Sequence, residues 1–163
     1  MVVNMKKVVK VASPAAIAVL RQATALAPKR MKASDGLLPS AAHLKASPNS
    51  DHNTGLAVDL THDPKNGIDC AFIFEMLKQD ERVNYLIFKG KIWSRDRRQD
   101  GNRVYNGTNR HDKHLHISIR SSHSRDTSNW FGFLNLNPSL AGKVLATVSK
   151  KPKKKDIPSP KEA

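Results

Sequence analysis

The chain has 163 residues, with 28 Lys and Arg against 14 Asp and Glu and a formal net charge of +14 at pH 7. That length supports one domain with a modest core and excludes two. No apolar run approaches the roughly 20 residues of a membrane span, and a single cysteine, Cys70, excludes an internal disulfide framework. The positive charge favours polyanions in general, whether nucleic acid, anionic cell-wall polymers or a membrane surface, and does not choose among them.

Near the N-terminus Lys6, Lys7 and Lys10 precede the mildly apolar stretch Val11 to Leu20, but Pro14 interrupts it and Arg21 follows at once. A helix over 14–26, with Ser13 as N-cap and Pro14 at its first position, is therefore expected rather than a cleaved signal peptide, which places the newly made protein in the cytoplasm until it is released. Residues 27–50, broken by Gly36 and Pro39, read as loop with short turns, and Leu56 to Leu60 as a strand. The Asp63-Pro64-Lys65-Asn66-Gly67 cluster is a turn. Ile68 to Gln79 follows as a helix with Ile68, Phe72, Ile73, Met76 and Leu77 on one face and Cys70 as a small core residue. Asn84 to Phe88 and Lys91 to Ser94 form a hairpin about Lys89-Gly90, Arg95 to Asn109 a long polar loop, and His114 to Ile119 a strand. Trp130, Phe131 and Phe133 close the core. Residues 1–140 thus make one domain of the α+β class, a small antiparallel sheet flanked by helices. Residues 141–163 are a basic, Pro- and Lys-rich tail expected to be disordered; six Lys against Asp156 and Glu162 in its last stretch leave about +10 on the folded part.

Four of the seven histidines fall in two short segments, Ser50-Asp51-His52-Asn53-Thr54-Gly55-Leu56-Ala57-Val58-Asp59 and His111-Asp112-Lys113-His114-Leu115-His116-Ile117-Ser118. Side chains at i and i+2 share one face of a strand, so His114 and His116 point together while Leu115 and Ile117 turn to the core. In the first segment Asp59 and Ala57 face opposite the larger Leu56, Val58 and Leu60, and a carboxylate in such a strand needs a partner or a metal. Two imidazoles and a carboxylate converging on one ion leave a coordination position for water, as catalytic zinc sites do, and favour zinc over magnesium. Asp51 and Asn53 read as turn formers; His43, His62 and His123 read as surface residues.

The pattern Ser-x-His-x-x-Gly-x-Ala-x-Asp followed by His-x-His resembles the group that unites lysostaphin-type peptidases, D-alanyl-D-alanine metallopeptidases and the hedgehog signalling domain. The spacing from His52 to Asp59 resembles the D-alanyl-D-alanine carboxypeptidase branch, and residues 34–118 are similar to peptidase domains of actinobacteriophage endolysins; the likeness spans roughly residues 15–135. It implies Zn2+ held by His52, Asp59 and His116, with His114 beside the metal-bound water. His111-x-x-His114-x-His116 also resembles the murein endopeptidase of the group, whose two extra histidines serve catalysis. Two departures stand out: Lys113 occupies the position where many carboxypeptidases of the branch carry Glu, and Ser34-Asp35-Gly36 stands near where a Tyr-Arg pair often precedes the first motif.

The expectation is a monomeric peptidoglycan hydrolase that cuts a peptide bond of the stem peptide or cross-link. His114 is the expected base, Asp112 the alternative carboxylate, and His111 a holder of the oxyanion or second acid. Ser50 and Ser118 are candidate substrate contacts or supports behind the site, and Tyr105 a candidate groove residue, with Trp93 more a core residue than a groove residue. The alternatives are a zinc-binding recognition module without catalysis, and a basic nucleic-acid-binding protein suggested by Arg95-Asp96-Arg97-Arg98 and the tail, which could also contact anionic wall polymers.

Overall fold

Alternating apolar side chains build the sheet at the centre of the computed structural model, which describes residues 7–135. Its five antiparallel strands are β1 (Ala57–Thr61), β2 (Val83–Phe88), β3 (Lys91–Ser94), β4 (Arg103–Val104) and β5 (His114–Ile119), in the spatial order β1-β5-β2-β3-β4. Val58, Leu60, Leu86, Leu115, Ile117 and Ile119 are each at most 1% exposed and form the middle of the core. Helix α1 (Pro14–Leu26) packs on β1, and its inward face of Ala15, Ala16, Ala18, Val19 and Ala23 is small enough for close approach. Ser13 caps it as expected, its Oγ accepting from the Ala16 amide at 3.2 Å. Helix α3 (Cys70–Leu77) packs on β2 and β5, and Asp69 caps it by accepting from the Ala71 and Phe72 amides. Cys70 is a buried core residue, and Trp93, Trp130 and Phe131 are buried as well.

The fold is the expected α+β arrangement, and two loops carry more structure than their composition suggests. The 27–50 stretch contains helix α2 (Ala41–Ala46), capped by Ser40, whose Oγ accepts from the His43 amide at 3.1 Å. The polar loop after β3 contains a 3-10 segment, Arg95–Asp100, and β4, which the sheet draws in by pairing with β3. The hairpin turn has Lys89 at φ 47° and Gly90 at φ 72°, the two left-handed residues that a two-residue turn matching strand twist requires. The chain divides into residues 1–132 and 133–163; a short helix α4 (Gly132–Asn135) is the last element described, and the basic tail lies outside the described residues. No helix among the described residues is long and apolar enough to cross a membrane.

Ile117 is fully buried midway along β5, between β1 and β2. Ile117→Ala should lower unfolding free energy by about 2–5 kcal/mol, from lost burial plus a cavity that the sheet cannot close; urea titration followed by far-UV circular dichroism measures it.

Candidate metal centre

The register of two strands assembles half of the site. Asp59 on β1 lies opposite His116 on β5, and Thr61 lies opposite His114. Since Leu115 and Ile117 point to the core, His114 and His116 share the other face, and the Asp59 carboxylate reaches His116 with Oδ1 3.0 Å from Nδ1. His52 arrives from a 3-10 turn, Asp51–Thr54, that Ser50 opens by accepting from the His52 amide at 3.3 Å. Gly55 closes that turn at φ 72°, where a Cβ would also press on the backbone of Val11 and Ala12. His52 Nε2 then stands 3.3 Å from the same Oδ1.

The proton on His52 can be placed by chemistry. Its Nδ1 is 3.0 Å from the Leu37 carbonyl, which can only accept, so Nδ1 donates and Nε2 turns a lone pair toward the carboxylate in the neutral ring. Two lone pairs at that separation need a proton or a cation between them. Donors about 2.1 Å from a tetrahedral zinc lie about 3.4 Å apart, and the two spacings to Asp59 Oδ1 are 3.0 and 3.3 Å. His52, Asp59 and His116 therefore fit a zinc ion by donor type and spacing.

Burial on its own would raise the Asp59 pKa, but the bonds to His116 and His52 reverse this and hold the carboxyl far below the usual range, so it stays ionised. Burial opposes protonation of His52, and Asp59 outweighs it, raising that pKa. Around the other oxygen, His114 Nε2 lies 3.6 Å from Asp59 Oδ2, beyond hydrogen-bond length. The His111 ring sits 5.0 Å from His114 and 5.4 Å from His116. Burial, then its histidine neighbours, push the His111 pKa down to about 4; burial also lowers that of His114, against the pull of Asp59. Both rings are neutral at pH 7, and His111 Nδ1, His114 Nε2 and His116 Nε2 are buried without a hydrogen-bond partner.

The site opens into a cavity of about 710 Å³, lined by residues of α2, the loop after β4 and the histidine–aspartate cluster. Tyr105 and Ser50 line it as expected, with Tyr105 packed 5.6 Å from His111. Gly107 makes room for that ring, since a Cβ there would lie 2.2 Å from the Tyr105 hydroxyl. Two expected site residues stand away from the cavity. Ser118 is fully buried and donates to Asp51 Oδ2 at 2.5 Å, so it braces the His52 turn rather than touching substrate. Asp112 precedes the start of β5, so the alternation does not reach it; its side chain is 57% exposed, pairs with Arg110 at 3.5 Å, and does not line the cavity.

Other residues matter more than their sequence context indicates. His43 lines the cavity from α2, its ring 5.6 Å from that of His52; the Ser40 cap before an Ala-rich run is the signal that would have placed it. His62 is half-buried rather than free on the surface, since its Nδ1 accepts from the Cys70 amide at 3.1 Å and its ring packs on Phe88. Asp51 and Asn53 are buried; Asn53 holds the carbonyls of Ser47 and Pro48, each at 3.0 Å. Tyr85 on β2 stacks on His116 with ring centroids 5.4 Å apart, and burial, then the Asp51 charge, raise its pKa.

A strap over residues 30–37 aligns the cluster. Arg30, 5% exposed, grips Asp35 through two bonds of 2.9 and 2.6 Å, and Asp35 Oδ1 accepts from the Thr61 amide and hydroxyl. Gly36 then exchanges two backbone bonds with Asp59, at 2.8 and 3.1 Å, and Leu37 offers its carbonyl to His52. A Cβ on Gly36 would sit 3.2 Å from Asp59 Oδ2.

Residues 11–116, well over half of the chain, match the family model described as VldE, C-terminal domain. No curated protein and no solved structure matches the chain.

Gly36→Ala should leave the fold intact and weaken zinc binding about tenfold, as other changes around metal ligands do, because the methyl displaces the carboxylate; competition with a chromogenic chelator reads this. The Arg30 and Thr61 bonds overcome the burial of Asp35 and lower its pKa. That stabilisation is complete above its unfolded pKa of about 3.9 and is lost as pH falls through the lower folded value. Asp35→Asn should cost about 3–5 kcal/mol at pH 7, because Arg30 is left buried and unpaired, and its stability should fall less steeply below about pH 4. Urea midpoints measured across pH test both.

Proposed function

This chain belongs to the VldE C-terminal domain family, and from the geometry of its histidine–aspartate cluster we propose that it is a zinc-dependent peptidase cutting a peptide bond in the stem peptide or cross-link of bacterial peptidoglycan. The observation that carries the reading is the convergence of His52 Nε2 and His116 Nδ1 on one oxygen of the ionised, half-buried Asp59. When bound, zinc would acidify a water and polarise the scissile carbonyl. The chain's own residues supply the rest. His114, neutral and with Nε2 unpartnered, accepts a proton and returns it to the leaving amine. His111, on the same side of Asp59, donates to the oxygen that gains charge. Tyr105 and Ser50 border the cavity where a branched peptide on a polymer can enter from one side. The cluster's resemblance to lysostaphin-type and D-alanyl-D-alanine peptidases supports the wall as the place of action.

One observation favours a second reading. Asp59 is the only carboxylate among the described residues that line the cavity, and Lys113 stands where a Glu base is common, so the domain would also suit zinc-dependent recognition of wall peptides without cleavage. The nucleic-acid reading draws less support, because Arg95 is spent on the carbonyls of Val83 and Asp80 and Arg97 on Asp100.

The test is release of new amino groups and soluble fragments from purified peptidoglycan by the zinc-loaded protein, with mass spectrometry naming the bond. Release should vanish on chelation and fall by more than about 100-fold in His116→Ala, since loss of a ligand exceeds loss of its outer support. Bound zinc without release from several wall types would favour the recognition reading, and absence of bound zinc would sink the site.

A further inference from the structure

The two oxygens of Asp59 face different histidine pairs. Oδ1 meets His52 and His116, while Oδ2 is turned toward His114, with His111 next to it. One ligand atom from each of Asp59, His111 and His114 lies within 4.8 Å of the others. His111 is 92% buried, being 8% exposed, and its Nδ1 has no hydrogen-bond partner; the same holds for His114 Nε2. His111 also adopts φ 58°, a conformation uncommon for a residue with a Cβ. Surrounding bonds enforce it: its amide donates to Asn109 Oδ1 at 3.0 Å and its carbonyl accepts from the Lys89 amide at 3.1 Å. Strained backbone of this kind persists where the surroundings over-determine it, and it clusters at ligand clamps.

We infer that His111, His114 and Asp59 form a second divalent-cation site, joined to the His52–Asp59–His116 centre by Asp59 as a bridging carboxylate. The inference rests on the reading of the first centre as a metal site. Two imidazoles and a shared carboxylate select a borderline transition metal such as zinc rather than magnesium or calcium. Carboxylate-bridged pairs hold their ions about 3.5–4 Å apart, within the span of one Asp. The second site binds more weakly than the first, because the single negative charge of Asp59 is divided between two cations. It also consumes the His114 lone pair that the proposed hydrolysis uses as base, so excess zinc inhibits the protein that limiting zinc activates.

The experiment is a zinc titration of the chelator-stripped full chain, read by isothermal calorimetry and by metal content after gel filtration. Wild type should take up two equivalents in two steps. His111→Gly, which accepts the positive φ without strain, should lose the weaker equivalent and keep the tighter one; His111→Asn, also tolerant of that conformation, should do the same and guards against a folding artefact. Saturation of wild type at one equivalent, or two equivalents in both His111 variants, overturns the second site and leaves the first intact. Uptake of none by wild type overturns both.

Discussion

A carboxylate drawn largely out of water is among the costliest features a small domain can hold unless it is compensated, and Asp59, its side chain 19% exposed, stands in such a place. Its charge is tolerable only because imidazoles on both sides of Oδ1 supply a proton or share a cation with it. The rest of the site can be understood as the means of bringing those groups to one carboxylate. Antiparallel pairing of β1 with β5 delivers His116, because opposite residues in such a pair stand side by side. The Ser50-capped turn delivers His52, and the Ser118–Asp51 bond ties that turn back to β5, two residues from His116.

A second carboxylate, that of Asp35, explains why a segment with few apolar residues is ordered. The 30–37 strap has little core to bury, yet the Arg30–Asp35 pair, itself shielded from water, locks it to Thr61. Once locked, it presents two backbone groups with separate tasks. Gly36 closes over Asp59 without a side chain in the way, and the Leu37 carbonyl fixes which nitrogen of His52 is free to act. A buried ion pair is weak evidence for stability in general; here its geometric role is to position Asp59 and His52.

Local periodicity made much of this legible. The alternation in His114-Leu115-His116-Ile117 shows which side chains share a face, and Ser13-Pro14 marks the start of α1. The hairpin at Lys89-Gly90 is equally local. What pattern could not show is register between distant strands: that Asp59 sits opposite His116 rather than His114 follows from packing across the sheet. It could not show the alliance of Arg30, Asp35 and Thr61 either, since each is an ordinary polar residue in its own neighbourhood. Ser118 and Asp112 stand apart from the cavity for related reasons. Ser118 is on the expected face but its partner comes from another element, and Asp112 lies just before the strand whose alternation would have governed it.

The position of β1 has one further consequence. It is the outer strand of the sheet, and its free side is occupied by the two backbone bonds exchanged with Gly36 and by the Asp35 carboxylate on the Thr61 amide. An unpaired strand edge is a template for pairing with another chain. Whatever loosens the strap thus uncovers an adhesive ribbon at the moment it spoils the alignment of Asp59. In this domain one short segment therefore has two tasks, positioning the Asp59 side chain and covering the open edge of β1, and a single local opening would undo both.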